Sequence, residues 1–247
     1  MLGRYLGEVG NAGSAAANVA LADSAHDTAT SVRTLAGGLL RYHTDLDVCE
    51  DAGDLCLACG NPRFQDAGDA RQAEEHGPAA AWLAMFRRSG AEAPTRVYGR
   101  FAVIVVRPAQ SEIIAVTDRF GTWPICYAET NEGLRVGERA DDVAGENPTI
   151  SPQSLYDYLF FHVIPAPATV FENVHRLPEA HLLEWRAGKS VCRPYWRPSF
   201  DEQSDSDLAG REAEFLELVE SAVRQEAAAG DVGAFLSGGT DSSTVAG

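Results

Sequence analysis

Val232-Gly233-Ala234-Phe235-Leu236-Ser237-Gly238-Gly239-Thr240-Asp241-Ser242-Ser243-Thr244-Val245-Ala246-Gly247 are the last residues of this 247-residue sequence. The apolar run Val232–Leu236 is too short for a helix and reads as a buried strand. A Ser/Gly loop with one acid follows, and after it the start of a helix. A strand that feeds a glycine-rich loop at a helix N-terminus is an anion cradle, because backbone N–H groups converge there and the helix dipole adds positive potential. Ser237, Thr240, Ser242 and Ser243 add hydroxyl donors, and Asp241 is placed to hold a cation against phosphate. The loop has no lysine, so it is not a Walker loop. The one Gly-Lys-Ser, at Gly188-Lys189-Ser190, has Leu183 where the first glycine should stand. No G-x-G-x-x-G dinucleotide fingerprint occurs either.

Working upstream, Gly99–Val106 reads as a buried strand, and Glu112–Thr117 as another that leads into Asp118-Arg119-Phe120-Gly121-Thr122-Trp123-Pro124-Ile125-Cys126-Tyr127. A third stretch runs from Ser154 through Tyr158-Leu159, Pro165, Thr169–Val174 and Arg176-Leu177-Pro178 to Tyr195-Trp196. The Ser-Gly-Gly-Thr-Asp-Ser string resembles the pyrophosphate loop of ATP pyrophosphatases. With the Gly-x-Phe-Ala strand, the Asp-Arg-x-Gly-x-x-Pro segment and the third stretch, it resembles the asparagine synthetase family, including its ring-forming relatives. The motifs come in family order. They cover roughly residues 97–247 well and residues 1–96 poorly.

The resemblance implies an α+β protein: an antiparallel β-sandwich-like amidotransferase-type domain over residues 1–200, then the first strand, loop and helix of a truncated α/β ATP-pyrophosphatase domain over residues 208–247. It implies an ATP-dependent, AMP-forming amide ligase that activates a small-molecule or peptide carboxylate as an acyl-adenylate. Leu236 would lie near the adenosine. Ser237, Gly238, Gly239, Thr240, Asp241 and Ser242 would bind ATP and its pyrophosphate, with Asp241 also catalytic as the Mg²⁺ ligand. A homodimer is a further expectation of this class.

The amidotransferase half departs from the family pattern. Its glutaminase chemistry uses a cysteine at the second position with its own α-amine as base, and here that position is Leu2. The family's oxyanion segment corresponds to Cys59-Gly60-Asn61-Pro62-Arg63-Phe64, where Cys59 replaces an asparagine donor. Loss of one such donor typically costs about a hundredfold or more in rate, so no glutaminase is expected. This leaves two enzymatic readings open, amide formation from ammonia (asparagine, in the parent family) and intramolecular closure of a β-lactam or macrolactam. A third reading is a non-catalytic scaffold.

Composition limits the rest. The 36 acidic residues outnumber 20 basic ones, for a net charge of −16. No Lys/Arg cluster marks a nucleic-acid footprint. No apolar run approaches the ~20 residues of a membrane helix, and the alanine-rich Ala15–Ala22 patch lacks the flanks of a signal peptide. The expectation is a cytoplasmic protein with neither nucleic-acid nor membrane partners. Among the five cysteines, Cys56-Leu57-Ala58-Cys59 forms a C-x-x-C without the second pair a zinc site needs. The stretch around it reads as a strand with cysteines as small hydrophobes.

Local signals give an outline. Arg33–His43 reads as a strand pair. The spacing of Ala79, Trp82, Leu83 and Phe86 predicts a helix over 69–88. Thr130-Asn131-Glu132-Gly133 reads as a hairpin turn, and Ser151-Pro152 as cap and first turn of a helix through Tyr156–Phe161. Residues 181–185 and 190–193 read as a hairpin around Ala187-Gly188. Polar, acidic residues 197–207 form the linker, and Leu208, Phe215, Val219 and Ala222 mark the next helix. Asp118 and Arg119 are expected to form an ion pair at a strand end rather than to contact a ligand. His43, His162 and His181 lack metal spacing. Trp82, Trp123, Trp185 and Trp196 are expected as core or interface anchors.

Overall fold

Two long strands, Asp54–Phe64 and Val97–Arg107, run through the middle of the first half of the protein. Their alternating residues fill two different cores. Leu55, Leu57, Cys59, Ala102, Ile104 and Val106 face one side, and Cys56, Ala58, Phe101, Val103 and Val105 face the other. A strand buried on both faces lies in an inner layer, and the period of two assigns each side chain to its core.

The computed structural model describes residues 5–10, 30–35, 38–43, 46–130, 133–186, 188–200, 208–227 and 232–247. In the first three stretches, and at residues 208 and 209, the description is of the backbone. The strands in chain order are β1 (Tyr5–Gly10), β2 (Thr30–Leu35), β3 (Gly38–His43), β4 (Asp47–Asp51), β5 (Asp54–Phe64), β6 (Val97–Arg107), β7 (Glu112–Thr117), β8 (Cys126–Thr130), β9 (Gly133–Gly137), β10 (His175–Arg176), β11 (His181–Arg186) and β12 (Lys189–Pro194). The helices are α1 (Ala67–His76), α2 (Pro78–Ser89), α3 (Ala140–Val143), α4 (Pro152–Phe161), α5 (Leu208–Ala227) and α6 (Thr240–Ala246). The chain divides into two compact units, Met1–Pro198 and Ser199–Gly247.

The first unit stacks four layers. One sheet has the order β10-β8-β9-β1-β3-β2 and the other β12-β11-β7-β6-β5-β4, with every pairing antiparallel. Between the sheets lies a core of Leu55, Ile104, Ala115, Leu134, Val136, Leu183 and Trp185. Outside the second sheet, α2 contributes Trp82, Leu83 and Phe86. Outside the first, Val143 of α3 covers Cys126 and Ala128. This is an α+β sandwich. The expected strand pair within 33–43 is β2–β3, and the expected hairpins are β8–β9 and β11–β12. Helix α4 begins after Ser151, whose hydroxyl accepts from Ser154 N at 3.2 Å.

Three expectations need correction. The helix predicted over 69–88 is two helices broken at Gly77-Pro78. Proline has no N–H and disfavours helical backbone in the residue before it, and Gly77 turns at φ 90°. Asp47 accepts from Ala79 N at 2.6 Å and so caps the second helix. Val232–Leu236 is not a strand, and Phe235 is fully exposed. A strand is defined by its ladder, and the described part of the second unit holds only helices α5 and α6. Asp118 and Arg119 turn apart instead of pairing, for the reasons given below.

Candidate functional site

At one end of the second sheet β5 and β6 narrow onto two glycines. Gly60 (φ +92°) and Gly99 (φ +89°) lie in the left-handed region that favours glycine. A Cβ on Gly60 would collide with the Arg100 carbonyl and lie 2.7 Å from Trp123 Nε1, and one on Gly99 would collide with the Asn61 carbonyl. Cys59 is buried, and its thiol donates to Ala102 O at 3.7 Å. It faces the core between the sheets. Trp123 packs against that same core and brings its indole nitrogen over Gly60. The C-x-x-C is therefore part of a strand. Cys56 and Cys59 stand on opposite faces of β5 and cannot share a metal ion. All five cysteines are free thiols, and burial pushes Cys56 well above the ordinary thiol range.

Asp118 organises the same end. Its carboxylate is buried and accepts from Phe101 N (3.2 Å), Phe120 N (2.9 Å) and Thr122 N (3.1 Å), and from the Thr122 hydroxyl. Three backbone donors and a hydroxyl satisfy the carboxylate without a guanidinium. Arg119 instead lies 3.9 Å from the Tyr98 ring centroid and 5.1 Å from that of Trp196, and donates to Thr95 O at 3.2 Å. Tyr195 donates to Thr117 O at 2.9 Å, and burial raises its phenol above the ordinary range. Trp196 is thus an anchor where the chain leaves the first unit. Trp123 was expected as an anchor, but its contact with Gly60 was not legible beforehand, because it joins a loop residue to a strand residue 63 positions away.

In the second unit the loop predicted to bind phosphate closes on itself. Gly238 (φ +79°) makes the turn. The Ser237 and Ser242 hydroxyls lie 3.0 Å apart, Ser237 N donates to Ser242 Oγ at 3.2 Å, and Gly239 N to Ser237 Oγ at 3.4 Å. Gly239 is the N-cap of α6, with Thr240 and Asp241 in its first turn. Asp241 is exposed, as are Leu236 and Phe235. The loop thus brings Ser237, Gly239 and Ser242 together and leaves Asp241 exposed in the first turn of α6. Among the described residues no three His, Cys, Asp or Glu gather as a metal site. A cation at Asp241 would draw its other ligands from phosphate oxygens and water, which suits Mg²⁺.

The first unit is a helix-flanked sandwich of two antiparallel sheets, and a serine–glycine loop at a helix start follows it in sequence. Residues 68–196 match the family described as glutamine amidotransferase domain, and residues 214–247 the family described as asparagine synthase. The chain belongs to the glutamine amidotransferase family, in the form that continues into an asparagine-synthase segment. It is 28% identical over 181 residues to a protein of Mycobacterium tuberculosis (strain CDC 1551 / Oshkosh), provisionally named asparagine synthetase [glutamine-hydrolyzing], covering 69% of this chain and 28% of that protein. It is 26% identical over 169 residues to asparagine synthetase [glutamine-hydrolyzing] 1 of Bacillus subtilis (strain 168), covering 66% and 26%. The match therefore spans little more than a quarter of the length of these relatives. Among solved structures, glutamine phosphoribosylpyrophosphate amidotransferase from B. subtilis is similar, with TM-score 0.39 and 13% identity over 66% of this chain and 36% of that one. Among the described residues no helix is long and apolar enough to cross a membrane.

Proposed function

We propose that this chain serves an ATP-dependent amide ligase of the asparagine synthase type. The observation that carries the reading is the match of residues 214–247 to that family, a range that includes Ser237–Ser242. In this reading a substrate carboxylate attacks the α-phosphate of ATP, pyrophosphate leaves with the displaced electron pair, and an amine or ammonia then displaces AMP from the acyl-adenylate. Backbone N–H groups at the start of α6 and the hydroxyls of Ser237, Thr240 and Ser242 stabilise the charge on the departing pyrophosphate. Asp241 would hold Mg²⁺, which would neutralise phosphate charge. In a protein joining residues 1–247 to a whole asparagine-synthase-type domain, labelled pyrophosphate should exchange into ATP only with the carboxylate present. Asp241→Ala should lower the exchange at least about a hundredfold. Undiminished exchange in that variant would remove Asp241 from the site.

A second element of the reading is that the amidotransferase half does not hydrolyse glutamine. The support is the placement of Cys59, whose thiol points into the core rather than toward an oxyanion, and of Trp123 over Gly60. A ligase without its own ammonia supply uses free ammonia or an amine carried by the substrate, so ring closure stands beside asparagine formation. Purified protein should release no glutamate from glutamine above a buffer control. Glutamate release above that control would overturn this half of the proposal.

A further inference from the structure

Cys49 and Cys56 stand directly opposite each other in the antiparallel pair of β4 and β5. Both side chains lie on the face of the sheet that packs against α2. The neighbouring register agrees: Val48, the partner of Leu57, packs against the core between the sheets to which Leu57 belongs. The C-x-x-C contributes one thiol to this pair, because Cys59 faces the other core. Opposite residues in an antiparallel pair have Cα atoms about 4.5 or 5.5 Å apart, and both values lie within the ~4.4–6.8 Å that a disulfide spans. Their Cβ atoms are about 4.5–5.5 Å apart, against about 3.5–4.5 Å in a disulfide. Closing the bond therefore draws the two residues together by roughly an ångström. β4 ends the sheet order, with no described strand beyond it, so it has room to yield.

The two thiols differ in access. Cys56 is fully buried. Cys49 is half-buried and lines an open hollow of about 730 Å³ between β4 and helices α1 and α2, together with Gln72, Leu83 and Arg87. Small-molecule sites commonly enclose about 300–1,000 Å³. Burial raises the Cys49 thiol, Asp51 and Asp47 raise it further, and Arg87 pulls the other way, whereas burial pushes Cys56 well above the ordinary range. Cys49 is thus the thiol that meets a reagent, and Cys56 the one that resolves the product. We infer that Cys49 and Cys56 form a redox-active dithiol, a reversible modification site for low-molecular-weight disulfides such as oxidised glutathione. Cys49 gives its proton to solvent and attacks one sulfur of the small disulfide, whose S–S bond breaks. The outgoing thiolate takes up a proton, and Cys49 carries a mixed disulfide. Cys56 then loses its proton and attacks Cys49 Sγ, and a second small thiol leaves with that proton. Both protein sulfurs are oxidised and the small disulfide is reduced to two thiols. A bond that must pull its strands together is of the strained kind that thiols reduce again readily.

Cys192→Ser removes the exposed thiol among the five free cysteines and supplies the background for the test. Incubation of that folded 247-residue protein with millimolar oxidised glutathione should consume the Cys49 and Cys56 thiols and no others, as read by alkylation in denaturant. Cleavage at Glu50, Asp51 and Asp54 should leave the two cysteine peptides joined until dithiothreitol is added. Cys56→Ala should stop the reaction at a glutathione adduct on Cys49. Cys49→Ala should leave Cys56 unmodified, because no accessible thiol then delivers the oxidant to it. Cys59→Ala should form the bond as before. A bond that is lost with Cys59, a glutathione adduct that persists on Cys49 while Cys56 is present, or thiols that all stay free would overturn the inference.

Discussion

Asp118 carries one negative charge into the interior and meets three backbone N–H groups and a hydroxyl there. Asp118→Ala strands those donors, and each buried unsatisfied donor costs about 1–3 kcal/mol. A loss of at least roughly 3 kcal/mol is expected in urea unfolding, with Asp118→Asn milder because one acceptor oxygen remains. Cys126 gives a pH signature. Burial is the main reason its thiol rises from 9.0 to about 11, with Arg176 pulling the other way. A group whose folded pKa is raised stabilises the fold fully below its unfolded pKa, and that stability is lost as pH climbs through the folded value. The first unit should therefore lose roughly 2 kcal/mol from this thiol between pH 9 and about 11. Urea melts across that window should show a shallower decline in Cys126→Ala than in the parent protein. Equal slopes would mean the thiol does not sense burial.

Among the elements, the meeting of β5 and β6 at Gly60 and Gly99 is the tightest fit in the sandwich. Gly60→Ala forces a Cβ into the Arg100 carbonyl and the Trp123 indole from a backbone at φ +92°. A cost of at least about 2 kcal/mol follows from clash and strain together, and a calorimetric melting temperature within error of the parent would contradict it. The elements also show where sequence reading succeeds. The hairpins and the Ser151 cap of α4 rest on local chemistry, and they were legible. The Gly77-Pro78 break was equally local, but the helical spacing of Ala79, Trp82, Leu83 and Phe86 masked it; those four residues mark only the second helix. Asp118 looked like half of an ion pair because its true partners, Phe101 N and Thr122 N, come from a neighbouring strand and its own turn. Val232–Leu236 has strand composition, yet composition cannot supply the ladder a strand needs. The loop Ser237–Ser242 was legible as a motif, while the placement of Trp123 over Gly60 depends on tertiary packing.

For the molecule as a whole, the two units differ in what supports them. The first buries two clusters around its inner sheet and a third beneath α3, so it has the means to fold alone. The second exposes Phe215, Leu216, Leu218, Val232, Phe235 and Leu236, and its described part has no sheet behind the serine–glycine loop. Donors that must meet phosphate charge need a rigid support, because otherwise binding has to order them first. The 247-residue protein is therefore expected to bind ATP feebly, with no saturation in micromolar titration calorimetry, although the loop chemistry suits phosphate. Limited proteolysis should cut first between Arg197 and Asp207 or beyond, and leave an N-terminal core ending near Trp196. There Tyr195 is tied to Thr117, and Arg119 stacks between Tyr98 and Trp196. Removing that anchor with Trp196→Ala should move the first cut toward the N-terminus while the melting temperature of the core changes little. Micromolar ATP binding together with protection of residues 208–247 would show instead that the second unit is rigid in this chain, and that its apolar residues are covered in solution.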